Sequence, residues 1–269
     1  MIDITTIDYS KLDRPEILMF LFHPRPDWND SDLGEGVEDI TIPVDESVVL
    51  GARLFSASAS APNILFFHGN GEIVADYDDV GQYFRRMDIN FVPVDYRGYG
   101  RSTGEPTVTA MMRDCHVVFD YMNNFFSGRG HDGPLVVMGR SLGSASALEL
   151  SACYGDRIDG LIIESGFAHS APLMDLLGFD MQASGIREED AFRNEDKIRS
   201  FLRPTLIIHA EYDHLIPFTE GQALYNASSA PDKRLFKVAG ANHNDIFFRG
   251  AGEYLDAVKE LTRAAGLRK

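Results

Sequence analysis

Cysteine is scarce in this chain, with only Cys115 and Cys153 in 269 residues. That excludes a disulfide framework and a cysteine-built metal centre. Positive charge is also in short supply: 25 Lys and Arg stand against 41 Asp and Glu, a formal −16. Such an excess repels both the phosphate backbone of a nucleic acid and an anionic membrane surface. Long hydrophobic runs are missing too. The run from Ile17 to Phe22 falls far short of the roughly 20 residues that cross a bilayer, and the first residues lack the basic start of a signal peptide. The expectation is a cytoplasmic protein without an integral membrane segment. What the chain does have is 44% hydrophobic residues, including 18 Phe and 10 Tyr, enough to fill a sizeable core.

Apolar runs of strand length alternate with longer amphipathic runs, the pattern of a mostly parallel sheet of about eight strands flanked by helices, an α/β fold. Asn63–Phe67, Ile89–Val94, Leu135–Met138, Gly160–Ile163 and Thr205–Ile208 are almost wholly apolar, as strands covered on both faces are. Asp39–Val44 and Val48–Phe55 flank an acidic turn and read as an antiparallel hairpin at an edge. Lys233–Val238 carries charge suited to a last edge strand. Three stripes at three- and four-residue spacing predict helices with core faces: Val108 to Met122, Val80–Tyr83–Phe84–Met87, and Tyr254–Leu255–Val258–Leu261. No repeat or linker divides the chain. Residues 1–38 read as an extension packing on the core, and 39–269 as one domain. Within it, residues 168–193 break the alternation and read as a small inserted cap.

The strongest chemical signal is Gly139-Arg140-Ser141-Leu142-Gly143, which follows an apolar strand and opens a helical run. In that context G-x-S-x-G marks a sharp turn that lifts a serine hydroxyl clear of the backbone, with small residues where side chains would collide. A serine hydroxyl needs a base, and His243 lies in a polar loop between the last strand and the last helix. His68 and His209 sit on or at the ends of strands and His116 on a helical face, and none has a comparable setting. The base in turn needs a carboxylate. Asp213, in the turn after Thr205–Ile208, is the first choice; Glu164 at the end of a neighbouring strand is an alternative, and Glu211 a weaker one.

Glycines around His68-Gly69-Asn70-Gly71 allow main-chain amides to turn toward a ligand, so the amides of Asn70 and Leu142 are the expected donors to an oxyanion. Leu173, Met174, Leu176, Leu177, Phe179 and Met181 either line an acyl pocket or hold the cap down, with Leu173, Met174, Leu177 and Phe179 the first choices for the pocket. Asp95 is read as bracing the glycine-rich loop that follows it, and Arg140 as pairing with Glu164 or Asp95. His209, Asp213 and His214 do not share a face suited to a metal, and no metal or other cofactor is expected.

Together, His68-Gly69-Asn70-Gly71, Asp95-Tyr96-Arg97-Gly98-Tyr99-Gly100-Arg101-Ser102 and the serine motif resemble the α/β-hydrolase superfamily. More narrowly they resemble small serine hydrolases of the Bem46-like and α/β-hydrolase-domain 13 and 17 types, a group that includes protein depalmitoylases. The resemblance runs from about Asp39 to the C-terminus. It implies Ser141 as nucleophile, Asp213 as acid, His243 as base, and Asn70 with Leu142 as oxyanion donors. The expected activity is hydrolysis of a small-molecule acyl ester or thioester. A peptidase of the same fold and a non-catalytic binding module stand as alternatives.

Overall fold

The computed structural model describes residues 7–28, 34–176 and 178–267. Eight strands form one sheet: β1 (Val37–Pro43), β2 (Val49–Phe55), β3 (Asn63–Phe67), β4 (Asn90–Val94), β5 (Leu135–Arg140), β6 (Gly160–Glu164), β7 (Thr205–Ala210) and β8 (Lys233–Val238). Their order is β1-β2-β4-β3-β5-β6-β7-β8. Only β2 runs against its neighbours; from β4 to β8 all pairs are parallel. The hairpin forms one edge and charged β8 the other. Strands β3 to β7 are buried at every position, which explains why they read as continuous apolar runs.

Helices cover both faces. They are α1 (Pro15–Leu21), α2 (Asp78–Arg86), α3 (Val108–Gly128), α4 (Gly143–Cys153), α5 (Ser170–Leu176), α6 (Asn194–Ser200), α7 (Phe218–Ala227) and α8 (Ile246–Gly266). The α3 stripe is buried throughout, from Val108 to Met122, and Cys115 is part of it. The α2 stripe departs from its pattern: Phe84 is fully buried but Tyr83 is 43% exposed. The inward neighbour of Phe84 is Gly81, where the Phe55 ring fills the space a side chain would need. A glycine is invisible to a hydrophobic stripe, so the helix phase read from the stripe was shifted.

The N-terminal segment contributes Tyr9, Leu12, Ile17 and Leu21 to the same core cluster as the inner face of the sheet. Between β6 and α6, α5 is capped by Glu188, whose carboxylate accepts from the Ser170 and Ala171 amides at 2.7 and 3.2 Å. Met174, Met181, Ile186 and Phe192 bury beneath this region. Parallel strands point their C-terminal ends the same way, so the loops after β3, β5, β6 and β7 gather at one edge of the sheet, where ligands of such folds bind.

Candidate active site

The turn from β5 into α4 holds Ser141 at φ +51°, a left-handed conformation costly for a residue with a side chain. The tightness of the turn is measurable at its glycines. A Cβ at Gly139 would collide with the Gly143 carbonyl, and one at Gly143 with the carbonyl of Phe67 on β3. The Ser141 amide is tied to the Glu164 carbonyl at 2.9 Å. The serine thus stands at the N-terminus of α4, where the helix dipole favours negative charge.

His243 follows β8 and is 4% exposed. Its Nε2 lies 3.1 Å from Ser141 Oγ, and its Nδ1 lies 2.7 and 2.9 Å from the two carboxylate oxygens of Asp213. Nδ1–H therefore donates to the carboxylate and Nε2 accepts from the serine hydroxyl. Asp213 Oδ1 also accepts from the amides of Leu215 and Ile216, at 3.0 and 2.8 Å. Burial pushes the Asp213 carboxyl up, but the hydrogen bonds from His243 and the Ile216 amide outweigh it and hold it below the ordinary carboxylate range. The three side chains singled out in the sequence converge, although they lie on loops up to 102 residues apart.

Glu164 is engaged elsewhere: Oε1 accepts from Arg140 at 3.1 Å and Oε2 from the Tyr254 hydroxyl at 2.6 Å. Glu211 pairs with Lys237 at 2.8 Å. Arg140 takes Glu164 and, at 2.8 Å, Glu72; Asp95 is not its partner. Asp95 accepts from the Arg101 amide at 3.4 Å within the glycine-rich loop and from the Val74 amide at 2.9 Å, and faces His68 Nε2 at 3.3 Å, so it ties that loop to the segment after β3. His209 is buried, with Nε2 donating to the Ile216 carbonyl at 2.8 Å. Glu72 was not foreseen. It follows the glycine-rich turn after β3 and accepts from the Gly69 amide at 2.7 Å and the Tyr77 hydroxyl at 2.5 Å, so it ties that turn to Arg140. Burial raises its carboxyl, but Arg140 and the Tyr77 hydroxyl hold it below the usual range.

A cavity of about 100 Å³ opens on Ser141, lined by Phe20, Leu21, Asn70, Leu142, Leu173, Leu176, Leu215 and Ile216. Of the expected pocket residues, Leu173 and Leu176 line it, whereas Met181 is buried. Met174 does not line it: it is fully buried in the core, and Phe179 packs against that core. Leu173 and Leu176 are three residues apart and share one helix face, whereas Met174 is turned about 100° from Leu173 into the buried core cluster. Leu177 lies outside the described residues. The walls supplied by α1 and by the Asp213 turn were missed, because nothing local in the sequence marks residues 20 or 215 as neighbours of 141. Among the described residues, His116, Glu149 and Cys153 have ligand atoms close enough for a metal. The Lys197 ammonium, 2.7 Å from Glu149, already occupies that carboxylate.

A family described as serine aminopeptidase, S33, matches residues 59–185. The lysophosphatidylserine lipase ABHD12 of Xenopus tropicalis is 35% identical over 215 residues, 71% of this chain and 54% of that one. The α/β hydrolase domain-containing protein 17B of Homo sapiens is 30% identical over 205 residues, 74% of this chain and 65% of that one. The chain thus spans from about half to just under two thirds of the length of these relatives. Among solved structures, the Pyrococcus furiosus esterase Pf2001 superposes with a TM-score of 0.72 at 17% identity, covering 90% of this chain and 98% of its own. That likeness concerns the fold. Strand order, helix placement and these relatives agree: the chain belongs to the α/β-hydrolase superfamily, among hydrolases of the α/β-hydrolase-domain type.

Proposed function

We propose that this hydrolase cleaves carboxylic esters or thioesters through an acyl-enzyme on Ser141. The observation that carries the reading is the unbroken relay from Asp213 through His243 to Ser141, at 2.7 and 3.1 Å, ending on a serine held in a strained turn. His243 Nε2 takes the hydroxyl proton as Oγ attacks the acyl carbon, and Asp213 stabilises the resulting imidazolium. The amides of Asn70 and Leu142 receive the oxyanion, and the α4 N-terminus adds its dipole. The tetrahedral adduct collapses, and His243 returns the proton to the departing alcohol or thiol. Water then gives a proton to His243 as it attacks the acyl carbon; the second adduct collapses, His243 returns that proton to Ser141 Oγ, and the carboxylic acid departs.

The apolar cavity beside Ser141 suits the acyl chain, with residues 168–193 as cap and α1 as the opposite wall. The name of the lipase relative makes a lipid ester a fitting candidate. The family description favours a second reading, an aminopeptidase. Such an enzyme needs a carboxylate to hold a free α-ammonium, and none of the described residues lining the cavity carries one. Turnover of p-nitrophenyl acyl esters against aminoacyl p-nitroanilides separates the two. Preferential ester hydrolysis is expected; preferential anilide hydrolysis would overturn the assignment.

A further inference from the structure

The N-terminal segment and the glycine-rich loop meet at Asn70. Tyr99, in the loop after β4, is fully buried, and its hydroxyl donates to Asn70 Oδ1 at 2.7 Å. The His23 amide points at both oxygens, 2.7 Å from the Tyr99 hydroxyl and 2.8 Å from Asn70 Oδ1. Asn70 Nδ2 donates to His23 Nδ1, also at 2.8 Å, which requires a neutral His23 ring with its proton on Nε2. The same segment is stitched to both loops. The Gly100 amide donates to the Arg25 carbonyl at 2.8 Å, the Asp27 amide to the Gly100 carbonyl at 3.0 Å, and Arg25 Nε to the Gly71 carbonyl at 2.8 Å. Both polar atoms of the Asn70 side chain are therefore engaged, Oδ1 by two donors and Nδ2 by one acceptor.

A carboxamide gripped on both ends fixes the orientation of its own main chain. Oxyanion donors work only when their N–H vectors are set before the reaction, because a shift of even an ångström forfeits much of their effect. We propose that Tyr99 is a positioning residue: acting through the Asn70 side chain, with His23 as the second jaw, it aims the Asn70 amide at the oxyanion. The extension that packs on the core is thereby part of the catalytic apparatus as well as a wall of the cavity. This inference rests on the reading of Asn70 as an oxyanion donor.

The test is Tyr99→Phe, which keeps the buried ring and deletes only the hydroxyl, assayed with p-nitrophenyl butyrate and with n-butylboronic acid as a tetrahedral mimic. The expected result is a kcat lowered about tenfold, KM within about twofold of wild type, and boronate inhibition weakened by the same factor as kcat. Asn70→Ala retains the amide but gives Tyr99 nothing to hold, and is expected to match Tyr99→Phe. The double variant should be no worse than either single one, since both remove one coupling. Tyr154→Phe serves as control: it deletes a phenol contact with His116 at 3.0 Å, away from the site, and should leave kcat unchanged. An unimpaired Tyr99→Phe, a lost kcat with unchanged boronate inhibition, or multiplying losses in the double variant would each overturn the proposal. A wild type inert toward the ester would instead overturn the reading on which it rests, and the proposal with it.

Discussion

Arg140 Nη2 donates to the His243 carbonyl oxygen at 3.0 Å, so the residue before the elbow serine holds the loop that carries the histidine. The same guanidinium binds Glu72 behind the glycine turn after β3 and Glu164 at the end of β6. Three loops converging on the site are thus locked by one buried fork, a geometry open to arginine and closed to lysine.

Arg140→Met leaves Glu72 and Glu164 without their cation, and stability at neutral pH is expected to fall by about 3–5 kcal/mol. Glu72 is depressed in the folded state, so its contribution is whole above its unfolded value and is lost as the pH falls through the folded one. The deficit of the variant should accordingly shrink on acidification. Denaturant titrations at neutral and acidic pH check both the size and the trend.

Lys197 is fully buried against Glu149 at 2.7 Å, with the Tyr9 hydroxyl shared between them. Burial raises the Glu149 carboxyl, but Lys197 and the hydrogen bonds of His116 and Tyr9 hold it down at about 2. Its stabilisation is complete above the ordinary value of 4.5 and fades as the pH falls toward 2. Lys197→Met should lower the melting temperature most near neutrality, with the gap from wild type closing toward pH 3. A gap that widens in acid would contradict the pairing.

Gly143→Ala places a methyl group against the Phe67 carbonyl, which as β-sheet backbone has little room to yield. Loss of soluble expression or a melting temperature many degrees lower is expected, measurable by thermal scanning. A well-folded variant would mean that the Phe67 carbonyl can yield and that the turn is not sterically closed.

Phe20 and Leu176 stand at the cavity mouth, 40% and 48% exposed. Phe20→Ala should shift preference toward longer acyl chains by about tenfold in the ratio of kcat/KM for decanoyl over acetyl esters. A ratio unchanged within twofold would remove α1 from the acyl wall.

What was legible in the sequence followed local rules. Asn63–Phe67 and Lys233–Val238 are strands with the very bounds their runs suggested, because burial on both faces or at an edge writes itself into consecutive residues. Ser141 was readable because a tight turn demands glycines at fixed offsets. Glu72, Phe20 and Leu215 were not, since their partnership with residues far along the chain is decided by how loops from separate strands fold over one edge. Met174 shows the limit in between. A hydrophobic helix such as α5 carries apolar side chains on several faces, so pattern alone does not say which of them enters the core and which lines the cavity.

The most direct test of the central claim is intact-mass and peptide mapping after treatment with a fluorophosphonate, on wild type and on Ser141→Ala. One adduct per chain on Ser141, its absence in the alanine variant, and an ester kcat lowered by about 10⁶ in that variant are the predicted results. Asp213→Asn should still fold yet lose about 10⁴ in kcat. A folded wild type that takes no phosphonate, or one that takes it on another residue, would contradict the account.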